Sequence, residues 1–146
     1  MVLVSGALLV ALAETATAQT PTPLAPTAAF VSHETVVACS KGATFQASRE
    51  FTVICYNRNG PGQVEIHEKT THVLYITNGE ATFVLGGTAV DGKLERPGEI
   101  RAASVQGGTT HHVVPGDVLI VPAGTVHWFK EVSKGVGYFS VNPLKP

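Results

Sequence analysis

The sequence predicts an all-β domain built as a sandwich or barrel, and two observations carry that prediction. About nine short runs of β-forming residues, each bounded by turn residues, recur at near-regular spacing between Phe51 and Asn142. Fifteen Gly and nine Pro spread along 146 residues break the chain too often for long helices. The length is that of one domain and is enough to bury a core without staples. Charged residues make up 14% of the chain, with ten Lys and Arg against eleven Asp and Glu and a net charge of −1. So weak a field argues against nucleic acid or an anionic membrane surface as partner.

At the start of the chain, Val2 to Ala13 form an apolar run of about a dozen residues, short of the roughly 20 that a bilayer-spanning helix needs. The run leads into Thr15-Ala16-Thr17-Ala18-Gln19, where a signal peptidase is expected to cut after Ala18, although no Lys or Arg precedes the run. Residues 1–18 are therefore read as a signal peptide, and the protein as secreted or periplasmic. Residues 19–30 carry Pro21, Pro23 and Pro26 among Thr and Ala and read as an extended linker with nothing to bury. The folded domain is expected over 31–146.

Ser32 can cap a short helix from His33 to about Lys41 that ends at Gly42, with His33 solvated in its first turn. Cys39 and Cys55 are the only cysteines. Either they close a loop of about 16 residues in an oxidising compartment, or they stay as two buried thiols. A strand over Phe51 to Tyr56 stops at Asn57-Arg58-Asn59-Gly60-Pro61-Gly62, a cluster that cannot continue it. Gln63 to Glu68, His72 to Thr77, Ala81 to Leu85, Glu99 to Val105, Thr109 to Val114, Val118 to Val121, Val126 to Val132 and Val136 to Asn142 follow. Between them Gly86 to Gly98, with Gly86-Gly87, Asp91-Gly92 and Pro97-Gly98, reads as one long loop. Val118-Leu119-Ile120-Val121 is apolar on both faces, which calls for cover on both sides, by a second sheet and by the partner in a homodimer.

Asn78-Gly79 is a strong hairpin signal, and a two-residue turn there pairs Ile76 with Ala81 and Leu74 with Phe83. Alternation then places His72, Leu74, Ile76, Ala81, Phe83 and Leu85 on one, inward face. An inward imidazole needs a partner. Glu65 and His67 lie close by in sequence, and a third imidazole, His127, comes later; one carboxylate and three imidazoles are the makings of a metal site. The strand of Glu65 and His67 argues the other way, because its opposite face is Val64 and Ile66 and hydrophobic-in would turn the polar pair to solvent.

Gly116 to His127 reads Gly-Asp-Val-Leu-Ile-Val-Pro-Ala-Gly-Thr-Val-His, which is similar to the second conserved motif of the cupins: Gly, five residues, Pro-x-Gly, two residues, His. Glu65 to Gly79 resembles the first, His-x-His, three or four residues, Glu, six residues, Gly, with the spacing kept and the residue types moved. Glu65 stands where the first His is usual, His67 is the second His, and His72 stands where the Glu is usual. The resemblance covers roughly Phe45 to Asn142 and implies a conical double-stranded β-helix of two antiparallel sheets, with a barrel core over about 45–142. It implies metal ligands at Glu65, His67, His72 and His127, and one divalent transition metal, Mn, Fe, Ni, Co, Cu or Zn, suits such a donor set. Glu65 is either a ligand or a base held beside the metal. Glu131, where Asn is usual, has at most a local role.

Beyond the motifs, one of the adjacent His111 and His112 is a candidate to line the cavity, although a core or surface histidine is the commoner outcome. Glu99 and Arg101 share one face of a strand as an ion pair or, alternatively, as an anion contact in the mouth. Phe129 shares a face with His127 and walls the site, and Trp128 faces away. The expected function is a mononuclear metal site acting on a small polar organic acid or sugar-like molecule, by dioxygenase, lyase or isomerase chemistry. The alternative is a binding module that captures such a molecule, or the metal, without catalysis.

Overall fold

Two antiparallel sheets face each other across an apolar core in the computed structural model, which describes residues 27–39 and 42–144. The apolar run, the cleavage site and most of the Pro-rich linker lie outside the described residues. The elements in order are α1 (His33–Val37), β1 (Ala43–Ala47), β2 (Phe51–Arg58), β3 (Val64–His67), β4 (His72–Gly79), β5 (Ala81–Leu85), β6 (Thr88–Val90) and β7 (Lys93–Arg96). There follow β8 (Glu99–Ala102), β9 (Ser104–Gln106), β10 (Thr109–Val113), β11 (Val118–Val121), β12 (His127–Glu131) and β13 (Val136–Pro143). One sheet runs β1-β2-β13-β4-β11, the other β10-β5-β12-β3-β8-β7, and β6 and β9 form a separate ribbon.

The core between the sheets is the one that alternation assigns. Leu74, Ile76, Leu119, Val121, Val136 and Tyr138 of the first sheet meet Ala81, Phe83, Val113 and Phe129 of the second. The expected hairpin is not made, however: β4 pairs with β13 and β11, and β5 with β10 and β12. Both strands put their apolar face inward by lying in opposite sheets rather than side by side. A bulge between Gly137 and Tyr138 holds Asn78 and Gly79 to β13, opposite Gly137 and Val136. Gly79, at φ +68°, then carries the chain across to the other sheet, with the Gly135 carbonyl occupying the place a β-carbon would take. Asn-Gly here marks a corner between sheets.

Other expectations change at the edges. β2 continues through Asn57 and Arg58 because β13 offers Gly137 and Val136 as ladder partners, which overrides the local turn signal. The Gly86 to Gly98 segment is not one loop but holds β6 and β7. Ser32 caps α1 through the Thr35 amide, yet the helix ends at Val37 rather than near Lys41. Cys39 is bonded to Cys55 on β2, Cα to Cα 6.1 Å, and the chain must leave the helix to reach it. Closing a loop of 16 residues contributes about 3 kcal/mol in the chain-entropy picture.

β11 is an edge strand with only one face covered. Leu119 and Val121 are buried, whereas Val118 and Ile120 are 54% and 63% exposed, so no second layer within the described chain covers the strand's outer face.

Candidate metal centre

Cross-strand register assembles the site. On β3, Glu65 pairs with His127 of β12 on one side and with Arg101 of β8 on the other, and His67 pairs with Glu99. These five side chains therefore share one patch of the second sheet, on the face that meets the first sheet. Their inward direction is permitted by what covers the opposite face. Val64, Ala102 and Val126 form a second apolar cluster with Ile66, Ala89, Val105 and Trp128, so the β6–β9 ribbon lies over Val64 and Ile66 from outside. β3 is covered on both faces, and hydrophobic-in no longer decides which one holds the charges. Trp128 does face away, and its indole N–H donates to the Gly62 carbonyl at 2.8 Å.

His72 reaches the same point from the first sheet. One nitrogen from each of His67, His72 and His127 lies within 4.8 Å of the others, and the ring centroids are 4.5 to 5.5 Å apart. The Nδ1 atom of His72 is 2.6 Å from Asn142 Oδ1, and that of His127 is 3.0 Å from the Thr125 carbonyl. Both acceptors require an N–H at Nδ1, so both rings present an Nε2 lone pair. The Nε2 of His72 is buried with no hydrogen-bond partner among the described residues, which leaves its lone pair free to bind a metal. Three imidazole nitrogens, two of them oriented from behind, fit a divalent transition metal. Burial favours the neutral form: it lowers His72 below the ordinary value and His127 to about 4, although Thr125 and Glu65 pull His127 the other way.

Glu65 stands beside the three-imidazole cluster rather than within it. Its carboxylate lies 2.5 Å from an Arg101 nitrogen, 3.2 Å from His67 Nε2 and 3.8 Å from His127 Nε2. Burial alone would raise its pKa, but the His67 hydrogen bond and the charges of Arg101, His127 and His67 outweigh it and hold the group at about 2. Glu99 Oε1 is 3.5 Å from His67 Nδ1 and 2.6 Å from Arg96, and Arg101 also meets Glu95 at 2.7 Å and Glu99 at 3.5 Å. The expected Glu99 and Arg101 pair is thus part of a wider ionic belt that steers His67.

The centre opens into a cavity of about 410 Å³ that Phe129 and Arg101 help to line. His111 does not line it. β10 is the outermost strand of its sheet, and no described residue covers His111, which is exposed, as is His112, 3.5 Å from Glu80. Glu131 is exposed and accepts a hydrogen bond from Thr82 at 2.9 Å, a local contact. His33 is exposed on α1.

Sequence reasoning passed over Asn142, which is buried and organises the far side of the centre. Its Oδ1 also accepts from Ser140 Oγ, and its amide donates to Thr52 Oγ1 at 3.1 Å. The available signal was one amide in a strand of otherwise mostly small or apolar residues. Asn142→Leu is expected to free the His72 ring and weaken metal binding roughly 10- to 100-fold, measured by competition with a chromogenic chelator. An unchanged affinity would mean that Asn142 does not orient His72.

The family model described as Cupin matches residues 31–144. Solved structures with a similar fold include an uncharacterized conserved protein with a double-stranded beta-helix domain from Klebsiella pneumoniae, at 15% identity and a TM-score of 0.50 over 70% of this chain and 75% of that one. Protein NMB1881 from Neisseria meningitidis matches at 12% identity and 0.52, over 79% and 99% of the two chains. Hydroquinone 1,2-dioxygenase from Sphingomonas sp. TTNP3 matches at 12% and 0.51, over 68% of this chain and 62% of its own. No curated protein matches the chain. At these identities the likenesses speak to the fold alone, and they agree with the two-sheet barrel, while the family model spans nearly all of the described residues. The chain therefore belongs to the cupins.

Proposed function

We propose that the protein is a metal-dependent enzyme that holds one divalent transition metal on His67, His72 and His127 and acts on a small polar organic molecule in the adjoining cavity. The observation that carries this reading is the convergence of three imidazoles at the cavity wall, one of them with a buried, unpartnered Nε2. A metal held there would supply Lewis-acid or oxygen-activating chemistry. The chain's own groups do the rest. Asn142 and Thr125 set the tautomers of His72 and His127, and Glu65 and Glu99 orient His67. Phe129 and Tyr138, stacked at 5.0 Å, make an apolar wall that keeps water from the reacting atoms.

Glu65 is better placed to position His67 and balance the site's charge than to abstract a proton, since Arg101 occupies one of its oxygens. The fold accommodates small-molecule chemistry in the Sphingomonas dioxygenase, and fold does not choose among dioxygenase, lyase and isomerase. Export is supported by the Cys39–Cys55 bridge, which suits an oxidising compartment, together with the leader-like sequence of residues 1–18. A homodimer is supported by Tyr75, Val118 and Ile120, exposed on the outer face of one sheet.

Metal analysis of protein purified without chelator, followed by diketones, hydroxy acids and uronates under air and under nitrogen, tests the reading. Turnover of one class is the expected result, its oxygen dependence separating oxygenase from lyase. Metal below about 0.2 per chain that Mn, Fe, Ni or Zn does not restore would sink it, and binding without turnover would leave a capture module.

A further inference from the structure

The cavity contains a second feature that the metal centre does not use. Arg58, the last residue of β2, lines the same cavity, with its guanidinium carbon 5.2 Å from the centre of the Phe129 ring. Its Nε is buried and has no hydrogen-bond partner among the described residues. No Asp or Glu among the described residues forms an ion pair with it. The other arginines of the cavity are different: Arg101 is neutralised by Glu65, Glu95 and Glu99, and Arg96 by Glu99. Gly62 leaves room for the guanidinium, since a β-carbon there would stand 2.8 Å from Arg58 Nη1. The phenols nearby do not supply a counter-charge. Burial raises both Tyr56 and Tyr138, the latter to about 12, against the opposing pull of Arg58, so both stay neutral.

A guanidinium held against an aromatic ring, with a buried unpaired N–H and no carboxylate paired with it among the described residues, is short of one anion. A carboxylate is the planar partner that takes its N–H groups two at a time. The distance to the metal centre limits the rest of the molecule. Phe129, on which Arg58 lies, is two residues from His127 on the same face of β12, a step of roughly 7 Å.

We propose that Arg58 is the specificity-determining residue of the cavity: it binds a carboxylate at one end of the substrate while oxygens about one six-membered ring away meet the imidazole cluster. The substrate class is a compact carboxylic acid with a chelating end and an acidic end. This rests on the metal-dependent reading above, and the experiment separates the two.

Zinc-loaded protein is titrated calorimetrically with 3,4-dihydroxybenzoate and with catechol, which share the chelating diol and differ in the carboxylate. The acid is expected to bind about tenfold or more tightly than catechol. In Arg58→Gln the two should bind alike, with zinc content unchanged, and Arg58→Lys, which keeps the charge and loses the planar fork, should fall between. Equal affinities in the unaltered protein, or a preference that survives Arg58→Gln, would overturn the proposal. Failure to take up zinc would instead defeat the metal reading alone. Benzoate against benzamide, on metal-free protein and on metal-free Arg58→Gln, then decides the role of Arg58 by the same comparison.

Discussion

Replacing His127 by Ala is expected to lower bound metal from about one ion per chain to below about 0.2 while the protein still unfolds cooperatively. His127 is 7% exposed, its Nδ1 is engaged by Thr125, and its Nε2 faces the other two rings with the Glu65 carboxylate 3.8 Å away. The core that holds the sheets together, from Leu74 and Ile76 to Phe83 and Phe129, does not include it. His67→Ala should behave alike. Glu65→Gln is the informative contrast: with the carboxylate held by Arg101 beside the cluster, metal should be retained with affinity roughly 10- to 100-fold lower. A loss as complete as that in His127→Ala would make Glu65 a ligand. Elemental analysis and thermal melts by circular dichroism read all three.

Acid should destabilise the metal-free protein in two successive windows. His127 has a folded pKa of about 4 against an ordinary 6.5, so between those values the unfolded chain binds the proton more readily than the folded one. Stability is therefore full above pH 6.5 and falls as the pH drops towards 4, by on the order of 3 kcal/mol for this group. Glu65, at about 2 folded against 4.5, adds a second fall between pH 4.5 and 2. Urea unfolding in chelator at pH 7, 5 and 3 measures both. In His127→Leu the first fall should shrink while the second remains, and a midpoint that stays flat from pH 6.5 to 4 would contradict the account.

Much of the site was legible because its information is local. The spacing of Glu65, His67, His72 and Gly79, and of Gly116, Pro122, Gly124 and His127, is a property of neighbours along the chain, as is the alternation that turned His72, Leu74 and Phe83 inward. Pairing is not local. Asn78-Gly79 prescribes a tight bend with positive φ, and that is what Gly79 adopts, but nothing in those two residues says which strand lies beside β4. The place was taken by β13, nearly 60 residues onward, whose Gly137 accepts the Asn78 side chain closely where a β-carbon would collide with it. The same distance hid Asn142, which meets His72 across 70 residues, and Arg58, which joined a strand only because β13 offered it a ladder partner.

By itself the sequence determined that this is an all-β chain with three imidazoles at metal-site spacing, because strand alternation and motif spacing are set by residues a few positions apart. Only the tertiary structure decided that Glu65 and His67 face inward. The β6–β9 ribbon buries Val64 and Ile66 from outside, and that cover removes the hydrophobic cost of turning a carboxylate and an imidazole towards the interior. It decided as well that Arg101 holds Glu65 while Arg58 finds no carboxylate among the described residues, because ion pairing depends on which strands stand side by side and not on which charges the chain contains.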